Sequence, residues 1–81
     1  MRPPRFFRIL KDRYIDGELI ACRGTIVVKY KGYDYGLCRD DQKWTGRECT
    51  AVTIKIDGSA PFFTVPTNEL VELTVPPTWY N

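Results

Sequence analysis

The sequence contains no histidine. The one side chain that changes charge near neutral pH is missing, and with it the commonest general acid or base. The three cysteines, Cys22, Cys38 and Cys49, form no C-x-x-C pair. They are too few for a structural zinc site, which takes four thiolate or imidazole ligands, and their odd number argues against a disulfide framework. They read as small buried hydrophobes in a reducing cytoplasm, with one disulfide plus a free thiol as the alternative. Gly-rich phosphate loops and nucleophile elbows are missing as well. Long apolar runs do not occur either: the basic start MRPPRFFRILKDRY is broken by Arg8, Lys11 and Asp12. A signal peptide needs about 7–15 continuous apolar residues and a membrane span ~20, so neither is expected. These absences predict a cytoplasmic chain that is not an enzyme and takes no cofactor, metal or membrane partner.

What is present suffices for one core. A chain of 81 residues, 43% hydrophobic and 14% aromatic, is too apolar to stay disordered and too short for two domains. Its net charge of +2 is small but unevenly spread. Residues 1–13 hold five cations (Arg2, Arg5, Arg8, Lys11, Arg13) against Asp12, whereas residues 57–81 hold Asp57, Glu69 and Glu72 with no cation.

From Gly24 to Gly58 the dominant period is two, the mark of half-buried strands. In GTIVVKYKGY, Ile26, Val28 and Tyr30 alternate with Thr25, Val27, Lys29 and Lys31; in TAVTIKIDG, Val52, Ile54 and Ile56 alternate with Thr53, Lys55 and Asp57. A short strand over 33–39 is expected to pair back on 25–31 through a turn near Lys31-Gly32. Residues 40–48 read as a loop. Asp57-Gly58 is a strong hairpin signal and is expected to join a 50–57 strand to PFFTV at 61–65. Pro66 ends that strand, Thr67 to Leu70 suits one 3₁₀ turn, and 71–75 alternates as a last strand before Pro76-Pro77. At the front, a first strand near 5–11 and a long loop near 12–19 are expected, with Asp16-Gly17 turning the chain into ELIAC. Residues 1–4 and 76–81 read as flexible or interface tails.

The segments GTIVVKY, YDYGLCRDD, TAVTIKIDG, PFFTVPTNEL and VELTV resemble the strand series of SH3-like small barrels. FTVPTNELVEL is similar to the strand, 3₁₀ turn, strand ending of such barrels, where a leucine, here Leu70, plugs the open end. The resemblance implies a mainly β, single five-stranded SH3-like barrel with one short 3₁₀ turn near 66–70. It implies nothing about activity, because such folds host many functions. The ALYDY-type motif of peptide-binding SH3 domains is missing, although Tyr33 and Tyr35 flank an Asp.

Adjacent Asp40 and Asp41 read as solvated turn residues rather than a catalytic pair. Tyr33, Tyr35, Trp44 and Trp79 are candidate anchors for a protein partner, since Trp and Tyr are favoured interface residues. The competing reading makes Tyr30, Tyr35 and Leu37 core and lays Trp44 over the barrel edge. A second functional class is a nucleic-acid-binding barrel using Arg5, Arg8, Lys29, Lys31, Lys43 and Arg47, against which stands a pI of 8.5, below the ~9 usual for such domains. A third is an enzyme whose site forms between subunits. Open sheet edges and the Trp79-Tyr80 tail favour a homo-oligomer over a monomer.

Overall fold

The computed structural model describes residues 5–75 and 77. Trp79 and the expected tails, Pro77 apart, lie outside the described residues. Seven strands, one α-helix and one 3₁₀ turn follow in the order β1 (Phe6–Ile9), β2 (Arg13–Ile15), β3 (Glu18–Ala21), β4 (Ile26–Lys29), α1 (Leu37–Thr45), β5 (Cys49–Thr53), β6 (Phe63–Pro66), the 3₁₀ turn Thr67–Glu69 and β7 (Leu70–Glu72). Five strands form one antiparallel sheet in the order β6-β5-β4-β1-β7, and β2 and β3 form a separate hairpin. The protein is thus mainly β. Closure into the expected barrel is not seen among the described residues: the outer strands β6 and β7 pair with β5 and β1 and not with each other.

One face of the sheet carries the core of Phe7, Ile9, Val27, Val52 and Val65, joined by Ala21 from the hairpin and flanked by Phe63 and Leu70. Ile9, Val27, Val52 and Val65 are fully buried, each stabilising the fold by about 1.5–3 kcal/mol. Registers Phe6↔Val28 and Val28↔Thr53 put a second buried row on the opposite face. The single inward face expected for β4 is therefore wrong in one respect. Val27 and Val28 are both buried, on opposite sides of the sheet.

The 3₁₀ turn appears where the sequence places it, whereas the closing strand expected over 71–75 spans only Leu70–Glu72, and Leu70 opens it half-buried against the core. Other boundaries move, each for a local reason. The loop expected over 12–19 is the β2–β3 hairpin, turned by Asp16 and Gly17 with φ of 52° and 79°, the left-handed pair that two-residue hairpins require. The 50–57 strand stops at Thr53, whose hydroxyl accepts from the Lys55 N–H (3.1 Å) and donates to the Pro61 carbonyl (2.8 Å). Ile54 and Ile56 therefore fall in the connection and are exposed. Asp57-Gly58 turns the chain inside that longer connection, the Asp57 carboxylate taking the N–H and hydroxyl of Ser59.

The largest departure is at 33–48. The expected 33–39 strand does not form, and the expected loop is mostly helix. Tyr35 and Gly36 both take positive φ (56° and 79°), which reverses the chain before any strand can run. The Asp34 carboxylate then accepts the N–H groups of Gly36 (3.0 Å) and Cys38 (3.4 Å), supplying partners that a helix start lacks. Gly46, with φ 73°, closes the helix by donating its N–H to Gln42.

Candidate functional site

Helix α1 packs against β5 and β6. Cys38 and Asp41 are the half-buried residues of its inner side, and no residue of the helix is fully buried. The same packing turns Leu37 and Trp44 outward. Seven residues make about 20° less than two full turns, so these two side chains lie along one side of the helix. Trp44 is 89% exposed, and Tyr33 and Tyr35, in the loop that leads into α1, are 71% and 76% exposed. The tyrosine rings meet edge to face with centroids 4.9 Å apart. The reading that buried Tyr35 and Leu37 in the core and laid Trp44 along the edge is overturned by these exposures. Tyr30, in contrast, is half-buried and stacks on Phe62 at 4.1 Å.

A polar knot holds the helix in place. Arg13 of the hairpin donates through Nε to the Thr64 carbonyl (2.8 Å), and the Thr64 hydroxyl donates to the Asp41 carboxylate. Asp41 is therefore not a solvated turn residue, while Asp40 beside it is exposed. Nothing in the sequence signals this knot, whose members stand 51 and 23 residues apart. At the start of the helix, hydrogen bonds from the Cys38 thiol and the Gly36 N–H hold the Asp34 carboxyl below its usual range. Burial, reinforced by Asp34, pushes the Cys38 thiol up to about 12. Burial also raises Cys49, whereas Cys22 is exposed; all three cysteines are free, and the reading of all three as buried hydrophobes fails for Cys22 and holds only in part for the half-buried Cys38 and Cys49.

The six candidate nucleic-acid contacts separate into two groups. Arg5 forms a two-pronged ion pair with Glu72 (3.0 and 2.9 Å), and its guanidinium sits 5.2 Å from the Phe7 ring centre. Arg47 is shared between Asn68 Oδ1 (2.6 Å) and Glu69 Oε2 (2.8 Å), beside a shallow cleft lined by Gly46, Glu48 and Thr67. Both are neutralised at close range. Arg8, Lys31 and Lys43 are exposed and Lys29 is half-buried, but they are spread over β1, β4, the following loop and α1 and form no single track.

On α1 the acids Asp40 and Asp41, three or four residues from both Leu37 and Trp44, share that side of the helix, while Arg39 and Lys43 lie farther round it. Arg39 and Lys43 are exposed on α1 with no ion pair among the described residues, and exposed Asp40 opposes them. No group of three or more Cys, Asp or Glu able to hold a metal occurs among the described residues. Nor is any described helix long and apolar enough to cross a membrane. Large exposed aromatics are favoured anchors of protein interfaces. No family model, curated protein or solved structure matches the chain.

Proposed function

We propose that the chain is a protein-interaction module with no catalysis of its own, and that it docks through Tyr33, Tyr35, Leu37 and Trp44 onto an apolar surface of a partner protein. The observation that carries this reading is the 89% exposure of Trp44 on α1, together with two exposed, mutually packed tyrosines in the loop that leads into that helix. An indole left in water on a small domain forgoes burial worth about 1.5–3 kcal/mol, which docking would recover. The Asp34 cap and the Arg13–Thr64–Asp41 knot support the reading by holding that surface rigid before any partner arrives, which lowers the ordering cost of binding. Neutralisation of Arg5 and Arg47 weighs against the nucleic-acid alternative.

The strand order β6-β5-β4-β1-β7, with a 3₁₀ turn between β6 and β7, supports placing the fold with the SH3-like small barrels as a member whose sheet stays open. In this arrangement the β2–β3 hairpin and α1 are elaborations of two connections. They are where such a fold can carry specificity without disturbing its core.

Wild-type and Trp44→Ala proteins used as baits, at low and at physiological ionic strength, test the proposal. Loss of a central aromatic anchor costs about 2 kcal/mol or more, roughly thirtyfold in affinity. Capture of protein should survive the salt increase and disappear with the alanine variant, whose own stability should change by no more than about 0.5 kcal/mol. Retention of nucleic acid that falls away steeply with salt, unchanged by Trp44→Ala, would replace this reading with the alternative.

A further inference from the structure

Helix α1 carries half of the docking patch yet adds almost nothing to the core. It is 9 residues long and none of them is buried. A helix of that length does not hold its shape alone in water, where about 12–15 residues are marginal. Its stability therefore comes from whatever ties it to the sheet. Both of its ends can swing: Tyr35 and Gly36 before it and Gly46 after it have φ of 56°, 79° and 73°, and the two glycines absorb backbone rotation at little cost.

Among the described residues one side-chain hydrogen bond joins α1 to the sheet, from the Thr64 hydroxyl to the Asp41 carboxylate. Thr64 and its register partner Ala51 are both buried on the face of β5 and β6 that α1 covers. Arg13 of the β2–β3 hairpin stands behind that bond. Its Nε donates to the Thr64 carbonyl at 2.8 Å, and its Nη2 lies 3.5 Å from the Thr64 hydroxyl oxygen. The guanidinium is thus one hydroxyl away from the Asp41 carboxylate, and neither charge has a direct ion pair among the described residues.

Resting on the interaction-module reading, we infer that α1 is a strap that opens as a unit about its two glycine-bearing ends, and that Arg13 is the latch that keeps it closed through Thr64 and Asp41. Closed, the strap holds Leu37 and Trp44 in a fixed relation to Tyr33 and Tyr35. Open, it disperses the patch and uncovers Ala51 and Thr64. The hairpin supplies none of the docking side chains, so it controls docking from outside the docking surface. Anything that draws Arg13 off Thr64 lowers the share of closed molecules, and apparent affinity falls with that share.

Hydrogen exchange on the free chain, followed amide by amide under native conditions, tests the inference. In wild type the α1 amides should open at least about tenfold more often than those of β4 and β5, and with little dependence on denaturant. Arg13→Met keeps the stem and removes the guanidinium; it should speed exchange in α1 by about tenfold while β4 and β5 change less. Asp41→Asn should act in the same direction, and it carries the test if the methionine variant does not fold. In the double variant the effect of Arg13→Met on α1 should shrink to about threefold or less, because the group it acts on is gone.

Exchange of α1 only in step with β4 and β5 would overturn the inference, and so would full addition of the two effects. Both outcomes are read on the chain without a partner. They are therefore separate from the broader proposal, which stands or falls on whether Trp44→Ala abolishes capture of a protein.

Discussion

Thr53 is fully buried in the second row, with Phe6 and Val28. Its hydroxyl finds partners there by bridging the Lys55 N–H and the Pro61 carbonyl where β5 ends. Thr53→Val keeps the shape and replaces the hydroxyl with a methyl. If apolar burial alone governed the site, the extra methyl would stabilise the protein by about 0.8 kcal/mol. Two hydrogen bonds worth about 1 kcal/mol each would be lost instead, and a carbonyl would be stranded beside a newly apolar side chain. The balance is a loss of about 1–2 kcal/mol, which lowers the Tm of a chain this short by about 5–15 °C. Chemical denaturation with matched slopes measures it, and hydrogen exchange at the Lys55 amide localises it: protected in wild type and in Thr53→Ser, fast in the valine variant. A valine variant as stable as wild type, or more so, would refute the reasoning, since the sign alone separates the two accounts.

Three further outcomes follow from the geometry. Asp34, Asp57 and Glu72 are all held below their ordinary values of 3.8 (Asp) and 4.5 (Glu), chiefly by hydrogen bonds from Cys38, Ser59 and Arg5 respectively. The unfolded chain therefore binds protons first, and stability that is complete above the ordinary values drains away as the pH falls through the folded ones; Asp34→Asn and Glu72→Gln should each flatten the acid limb of a denaturation series. Iodoacetamide followed by peptide mapping should find Cys22 modified first and Cys38 last, because the thiolate is the nucleophile and the Cys38 thiol is pushed up to about 12; equal rates would contradict the packing of α1. Gly32→Ala would place its Cβ 2.5 Å from the Tyr30 hydroxyl oxygen, so the ring must leave its stack on Phe62, at a cost of about 1–3 kcal/mol readable by denaturation and by loss of the ring-current shifts at Phe62.

The strand content was legible because Val27, Val52 and Val65 lie in short β-rich runs bounded by Gly and Pro, and those boundaries are local chemistry. The 3₁₀ turn was legible for the same reason: Pro66 both ends a strand and starts the turn. Helix α1 was not legible. Its segment has no apolar stripe, its inner side being Cys38 and Asp41, and its start depends on a left-handed tyrosine at position 35 that no propensity anticipates. The aromatic patch was half legible. Tyr33, Tyr35 and Trp44 stood out by type, but Leu37 joins them only once the helix places it two turns from Trp44. Arg5 and Arg47 looked like free cations because their partners, Glu72 and Glu69, lie 67 and 22 residues away.

Arg13 and Pro66 have a consequence for how this molecule can meet others. The outward carbonyl of Thr64 on the border strand β6 is already taken by a guanidinium, and Pro66, two positions on, has no N–H to offer on that same border. An incoming strand seeking to lengthen the sheet there would have to evict the arginine and still find a gap in the ladder. The opposite border, β7, is three residues long and bears Glu72 tied to Arg5. Main-chain pairing is thus discouraged on both flanks, and recognition is left to side chains.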